Sequence, residues 1–419
     1  MTAREPAARH DRLHRLPPAG IGCDAGLAMF PLSRRAGVVA ALGSVQILGW
    51  GSTYYLPAIL AAPMATELEV SGDAVYGAFS AALVVTALLG PAAGRRIDLF
   101  GGRGVLTLSS LLFAAGLALL GTAQDLVLLV AGWLVIGVGM ALGLYEAAFS
   151  TLAALYGSHA RGAITGVTLL GGLASTVCWP ISAWLEADFG WRTACFVWAA
   201  AHLAIGLPLN RLLVPQGIRP VPPTSDTPAP PSTEGGGRAM ILLAVVFAIG
   251  WFISTAMAAH LPELLQMTGA SPAAAIAAAA LVGPAQVAAR LLEFGVLQRF
   301  HPLLSARLAA IAHPLGAALL LTVGAPAAAL FAVFHGAGNG ILTIAKGTLP
   351  LVIFGPGGYG RRQGVLMVPA RFAQAAAPLV FALLLERMGA SALLVSAGLA
   401  LVALAALLAL TPATMAEPG

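Results

Sequence analysis

Glu146, Lys346 and Arg371 each stand inside a run of apolar residues long enough to cross a bilayer. An ionisable side chain at membrane depth costs at least about 2.5–3.5 kcal/mol on insertion scales, so it turns toward a cavity or an opposite charge. Two cations and one carboxylate suit a site for an anionic group. The ammonium and guanidinium would receive the anion, while Glu146 would take a proton or balance a cationic group. The alternative is a salt bridge fastening two parts of the molecule, and a pair across a moving interface could be both lock and site. Lys346 is the only lysine among 22 basic residues in a chain otherwise supplied with arginine, so this one position invites a chemical reason.

Uncharged polar groups extend the candidate site. Gln46 precedes the run Gly49-Trp50-Gly51-Ser52-Thr53-Tyr54-Tyr55-Leu56-Pro57, which mixes flexible backbone with aromatic and hydroxyl groups. Tyr54 and Tyr55 there suit the wall of a solute site, or else an interfacial aromatic belt. His335 and Asn339, one helical turn apart in His-Gly-Ala-Gly-Asn-Gly, suit either a cavity face or interhelical hydrogen bonds of about 1 kcal/mol. His260, Gln286 and Gln374 are weaker candidates, and His202 and His313 read as packing or boundary residues. No His pair has zinc-protease spacing, no Ser, His and Asp combination presents itself, and no phosphate-cradling loop carries a lysine. Cys23, Cys178 and Cys195 lack metal-ligand spacing. No catalytic residue, metal or cofactor is therefore expected, and the chain does not read as an enzyme.

These residues need a membrane scaffold. Of 419 residues 59% are hydrophobic and 9% charged, too few charges for a water-facing surface. The pI near 9.5 does not indicate nucleic acid, because the basic residues fall between apolar segments. Apolar windows predict an all-α polytopic membrane protein with twelve helices, near 36–61, 74–93, 104–122, 126–156, 162–185, 191–213, 239–261, 272–296, 303–322, 326–353, 364–385 and 390–411. Two six-helix bundles, 36–213 and 239–411, would flank a linker, 214–238, rich in Pro, Ser, Thr and Gly. Residues 1–35 read as a disordered cytoplasmic tail without a signal peptide, the first 28 being disordered or an artefact of start assignment, and 412–419 as a second cytoplasmic tail. Placing the amino terminus inside puts 17 of the 22 basic residues on that side, leaving only Arg192 and Arg387 outside, alongside Glu67, Glu69, Asp73, Asp125, Glu186, Asp188, Glu263 and Glu386. Such a bias fixes both termini in the cytoplasm.

The halves echo each other about 200 residues apart. Gly137-Val138-Gly139, Glu146 and Arg161-Gly162 correspond to Gly336-Ala337-Gly338, Lys346 and Arg361-Arg362, and Pro180 corresponds to Pro378. Between the second and third segments the chain reads Gly94-Arg95-Arg96-Ile97-Asp98-Leu99-Phe100-Gly101-Gly102-Arg103, weakly echoed by Ala-Arg-Leu-Leu-Glu at 289–293. This run resembles the signature cytoplasmic loop of the major facilitator superfamily, G-x-x-x-D-R-x-G-R-R, and with topology, linker and repeat the resemblance covers nearly the whole chain. It implies two rocking six-helix bundles and assigns Gly94, Asp98 and Arg103 to gating, with Arg290 and Glu293 as a degenerate second latch. The chain departs at Leu99 and Gly102, where the family is usually basic. It also departs at Trp133, where the fourth helix of proton-coupled members carries arginine, and at Gly172 to Trp179-Pro180, a fragment of the drug-antiporter pattern.

The resemblance also places helices 1, 4, 7 and 10 along a central pathway, across which Glu146 and Lys346 would approach. The implied function is secondary transport of a small organic anion or zwitterion, monocarboxylate-like compounds first, by alternating access. Protons are a candidate coupling ion and a bacterial inner membrane the expected location. A monomer in the lipid bilayer, without nucleic acid, is expected. Efflux of a drug or toxic metabolite is the alternative if Glu146 acts alone, and a sensor that lost translocation is the alternative of another class.

Overall fold

In a computed structural model the described residues are 32–216 and 234–410, and every regular element among them is helical. The tail before residue 32, linker residues 217–233 and residues 411–419 lie outside the described residues. The expected linker is shorter than its composition implied, because helix begins at Glu234 and takes in its last glycines.

The chain opens with α1 (Leu32–Ser52) and α2 (Pro57–Glu67). They interrupt the helix expected over 36–61, since Pro57 has no N–H to return to residue 53. Tyr55 N–H reaches back to Trp50 O instead, a wide turn of 3.0 Å hydrogen bonding that sets Tyr54 and Tyr55 at the break. Two long helices follow, α3 (Gly72–Phe100) and α4 (Gly102–Thr122), separated by Gly101 alone at φ 79°. The segment 94–100, expected as loop, is thus the last two turns of α3.

Next come α5 (Leu126–Gly143), α6 (Tyr145–Tyr156), α7 (Arg161–Gly171) and α8 (Ala174–Ala201). Extended Leu144 splits α5 from α6, and Gly190 at φ 79° breaks α8 internally. The second half holds α9 (Glu234–Met267), α10 (Pro272–Ala280), α11 (Val282–Gly295), α12 (Pro302–Val323), α13 (Ala328–Phe354), α14 (Tyr359–Met388) and α15 (Ala392–Ala409).

Among the described residues nine stretches are long and apolar enough to cross a membrane. The longest, Leu126–Leu213, has 88 residues and carries the three breaks at Leu144, Gly157 and Gly190. At 1.5 Å per residue it would extend about 130 Å if straight, several times a bilayer core of about 30 Å. Leu88, Leu111, Leu304 and Leu401 face outward, as lipid-facing positions do.

The interior forms two large apolar clusters. One joins the first half to Phe247, Trp251, Leu349, Tyr359 and Leu366 of the second; the other, around Met257, Leu264, Phe331 and Phe381, belongs to the second half alone. Where the halves meet, α3 crosses α14 through glycines spaced four apart on both helices, Gly90 and Gly94 against Gly360 and Gly364. A methyl group on Gly94 would fall on the Gly360 carbonyl, so only glycine permits this approach.

Candidate functional site

The α5–α6 break prepares the site. Ala147 N–H bonds to Leu144 O, leaving the Gly143 carbonyl unclaimed by its own helix, and Gln46 Nε2 donates to it at 2.8 Å. Gln46 Oε1 in turn accepts from Trp50 Nε1 at 3.1 Å. Gln46, expected as a solute ligand, is fully buried and committed to holding Trp50, so it positions an aromatic wall.

Trp50 stacks on Trp251 of α9 with ring centroids 5.9 Å apart and planes 12° apart, one indole from each half. Tyr145 lies 5.0 Å from Trp50 on the same side of the break, and Tyr54 meets Trp50 edge-on at 5.4 Å. The Tyr54 hydroxyl lies 3.2 Å from Thr255 Oγ1, a second link between the halves. Tyr55 packs edge-on against Trp179 of α8 at 5.6 Å and lies at the margin of the cluster, 6.4 Å from Trp50.

Half-buried Glu146 and buried Lys346 and Arg371 surround this aromatic pair. Arg371 on α14, 1% exposed, bridges both carboxylate oxygens of Glu146 with Nη2 at 2.9 Å and donates from Nη1 to Gln374 Oε1 at 2.8 Å. Its guanidinium lies 5.1 Å from the Trp251 ring and 5.7 Å from Trp50. Lys346 on α13, 5% exposed, puts Nζ 3.9 Å over the Trp251 ring. The pairing therefore differs from the expected approach of Glu146 to Lys346: the carboxylate takes the guanidinium, and the ammonium rests on an indole of its own half. Pro350, which has no N–H to offer the Lys346 carbonyl, explains the local backbone, since Gln363 Nε2 fills that position at 3.0 Å.

Donors outnumber acceptors here. Among the described residues Lys346 Nζ has no hydrogen-bond or carboxylate partner, and Trp251 Nε1 and Gln374 Nε2 are buried without acceptors. A buried polar group without a partner is costly, and three donors left open around one pair of indoles make a place for an acceptor-rich anion. The void beside the Glu146–Arg371 pair is only about 10 Å³, room for about one water. A solute requires the halves to part.

The remaining candidates separate into two groups. His335 and Asn339 do not join this cluster; with His313 they line a cavity of about 30 Å³ enclosed by α9, α12, α13 and α15. His335 Nδ1 lies 3.1 Å from His313 Nδ1, and His313 Nε2 lies 3.0 Å from Ser396 Oγ. His313 is thus an interior hydrogen-bonding group and no boundary residue, whereas His202 packs against Phe113 and bonds Ser52.

The gating candidates fall in two places: Gly94 and Asp98 meet the start of α14, whereas buried Arg290 lies within electrostatic range of Tyr145, Tyr55 and Lys346 in the centre. Asp98 accepts the backbone N–H groups of Gly360 and Arg361, both at 2.8 Å, at the start of α14, where the helix dipole favours a carboxylate. Gly94 supplies the close approach beneath it. Arg103 does not reach Asp98 but donates to Val214 O at 2.6 Å within its own half. Arg290 donates to Thr168 O at 3.3 Å, and Glu293 pairs with Arg161 at 3.3 Å, so each faces the first half and neither bonds the other. Arg161 also donates to Phe300 O at 2.7 Å. Trp251, Thr255 and the glycines at 90, 360 and 364 are not among the sequence candidates, and Arg161 enters there only through the internal repeat. Only the glycine spacing carried a readable signal.

A family model described as Major Facilitator Superfamily matches residues 41–368. Among curated proteins none matches the sequence. Solved structures share the architecture at low identity. The human organic anion transporter MFSD10 (TETRAN) matches at 17% identity and TM-score 0.68, covering 90% of this chain and 100% of its own. The proton:xylose symporter XylE bound to a bromodeoxyglucose matches at 15% and 0.68, covering 90% and 95%. FucP in the outward conformation matches at 14% and 0.70, covering 88% and 97%. At these identities the likeness is one of fold.

Proposed function

This chain belongs to the major facilitator superfamily of transporters, and on that footing we propose that it carries a small organic anion, monocarboxylate-like compounds first, across a cell membrane by alternating access. The observation that supports this reading is the donor surplus around the Trp50–Trp251 stack: among the described residues Trp251 Nε1 and Gln374 Nε2 are buried without acceptors, and Lys346 Nζ rests on the Trp251 ring, beside a guanidinium held by one carboxylate. A carboxylate solute would accept from Lys346 and Gln374 and compete with Glu146 for Arg371. Proton coupling follows from that competition. A proton on Glu146 removes the rival charge and frees Arg371 for the solute; loss of the proton restores the internal pair and expels it.

The scaffold reading rests on the helix breaks. If Gly157, Gly190 and Gly389 mark reversals at the membrane surfaces, the stretch 126–213 supplies three crossings and 359–409 two, giving twelve in two sets of six, 36–213 and 239–411. The excess of arginine at the Asp98 end supports a cytoplasmic side for that end and for both termini, in a bacterial inner membrane. Asp98, Arg161 and Glu293 then form the inner gate, closed in this conformation. Efflux driven by Glu146 alone is less well supported, because Glu146 is engaged by Arg371. The sensor reading has no observation in its favour.

Uptake of labelled small carboxylates into proteoliposomes, with and without an inward proton gradient, tests the proposal. Gradient-stimulated, saturable uptake of a carboxylate is expected. Flux of neutral or cationic solutes alone, or no flux under any gradient, would overturn it.

A further inference from the structure

At the Asp98 end, on the opposite side of α3 from the crossing with α14, lies a groove of about 850 Å³ bordered by α3, α4, α5 and the segment after α8. Its mouth carries four guanidinium-bearing side chains, Arg95, Arg96, Arg103 and Arg211, and among the described residues no acidic side chain lines it. Arg95, Arg96 and Arg211 are exposed, while Arg103 is half-buried and spends its Nε on Val214 O. The nearest carboxylate along α3, Asp98, is turned away and occupied by the N–H groups of Gly360 and Arg361. Among the described residues the positive charge of the groove is therefore left without a carboxylate.

The inner wall has the opposite character. Leu89, Leu108, Val138 and Leu142 line it, with Leu89 and Leu108 37% and 47% exposed. Leu89 and Arg96 lie seven residues apart on one face of α3, about 10 Å along the axis. A ligand seated there meets charge at the membrane surface and hydrocarbon one to two turns deeper. A soluble anion would use only the first, and a neutral lipid only the second. The volume is that of sites which take ligands of drug size, about 300–1,000 Å³.

We infer that this groove binds a phospholipid with an anionic headgroup, from the leaflet at the Asp98 end. The phosphate and its glycerol would sit among Arg95, Arg96 and Arg211, also facing the first N–H groups of α4 beside Gly104, and an acyl chain would run along Leu89 and Leu108. Basic pockets between membrane helices at the cytoplasmic surface recognise anionic headgroups in this way. The site is separate from the Glu146–Arg371 centre and does not depend on the solute proposed above. Because it abuts the α3 end that carries Asp98, an occupied groove would brace the helix that closes the inner gate.

Native mass spectrometry of the full chain released from nanodiscs of phosphatidylcholine mixed with phosphatidylglycerol provides the test. The wild type should retain one phosphatidylglycerol in preference to phosphatidylcholine, and excess inorganic phosphate should leave it bound. Joint Arg95→Gln and Arg96→Gln should weaken retention about thirtyfold, equivalent to about 2 kcal/mol for two basic side chains. Joint Arg299→Gln and Arg361→Gln, which remove the same charge from the same end outside the groove, should not. Equal retention of the two lipids by the wild type, displacement by phosphate, or equal losses in the two double variants would each overturn the assignment.

Discussion

Lys346→Met and Arg371→Met should move stability in opposite directions while both impair anion transport. Lys346 is 5% exposed; its ammonium rests on the Trp251 ring without a hydrogen-bond partner among the described residues, with Arg371, Glu146 and Arg290 within electrostatic range. Holding a lysine at membrane depth costs about 2.5–3.5 kcal/mol on insertion scales. A desolvated cation–π contact returns about 2 kcal/mol. Methionine keeps most of the volume and discards both terms, so the variant should be more stable by about 1 kcal/mol. Arg371 is the contrary case. Removing it strands the Glu146 carboxylate, whose side chain is 16% exposed, and breaking a buried pair costs about 3–5 kcal/mol. For the solute, loss of one charge-assisted hydrogen bond at about 1.5–3 kcal/mol raises KM about 10- to 150-fold in Lys346→Met. Thermal unfolding in detergent and carboxylate uptake in proteoliposomes read the two quantities on the same preparations. If Lys346→Met melted below the wild type, or if it transported carboxylates with unchanged KM, the idea of an ammonium kept for the solute would be wrong.

Glu146→Gln should bind carboxylates at least as tightly as the wild type, since Arg371 loses its internal rival, and uptake should become insensitive to the proton gradient; a preserved gradient response would assign coupling to another group. Gly94→Val places branched carbon on the Gly360 carbonyl and should hold the inner end apart, so that a cysteine introduced at exposed Arg361 reacts faster with a membrane-impermeant thiol reagent applied from that side. Unaltered labelling would refute the close-crossing argument. Asp98→Asn removes the charge from two hydrogen bonds to the α14 N-terminus and should shift the same labelling rate in the same direction by about three- to fivefold, for a loss of about 0.6–1 kcal/mol. Trp251→Ala should cost transport far more than Tyr55→Ala, because Trp251 supports both cations while Tyr55 leans on Trp179; comparable losses would argue that the aromatic groups act only in packing.

The parts of this molecule legible in sequence were those with a steep local cost. Buried charges are rare because each is expensive, so Glu146, Lys346 and Arg371 stood out, and long apolar runs announced the membrane. Which charge would meet which could not be read, because a pairing across 225 residues depends on how two bundles face each other. Trp251 was hidden for another reason: an indole in an apolar run looks like any core residue until a cation is found above it. The breaks at Thr53–Leu56 and Leu144 show the limit of periodicity, which signals apolar length but not interruption. Pro57 marked the first, whereas extended Leu144 has no residue of its own to betray it and is supported from afar by Gln46. The segment 94–100 was misread as loop because its charges suggested solvent, yet Ile97 is buried and the helix runs on.

The bare crossing of α3 and α14 bears on how the molecule can move. Interlocked side chains must disengage rotamer by rotamer, so a gate built from them would open slowly and in stages. Two ribbons of peptide touching through glycine have no teeth to clear, so at this crossing resistance is left to the two hydrogen bonds at Asp98, while Arg161, Arg290 and the Glu146–Arg371 pair fasten the halves elsewhere. A mechanism with smooth bearings and few bolts releases abruptly once the bolts are drawn, and it reseats without sorting any conformers on the way back.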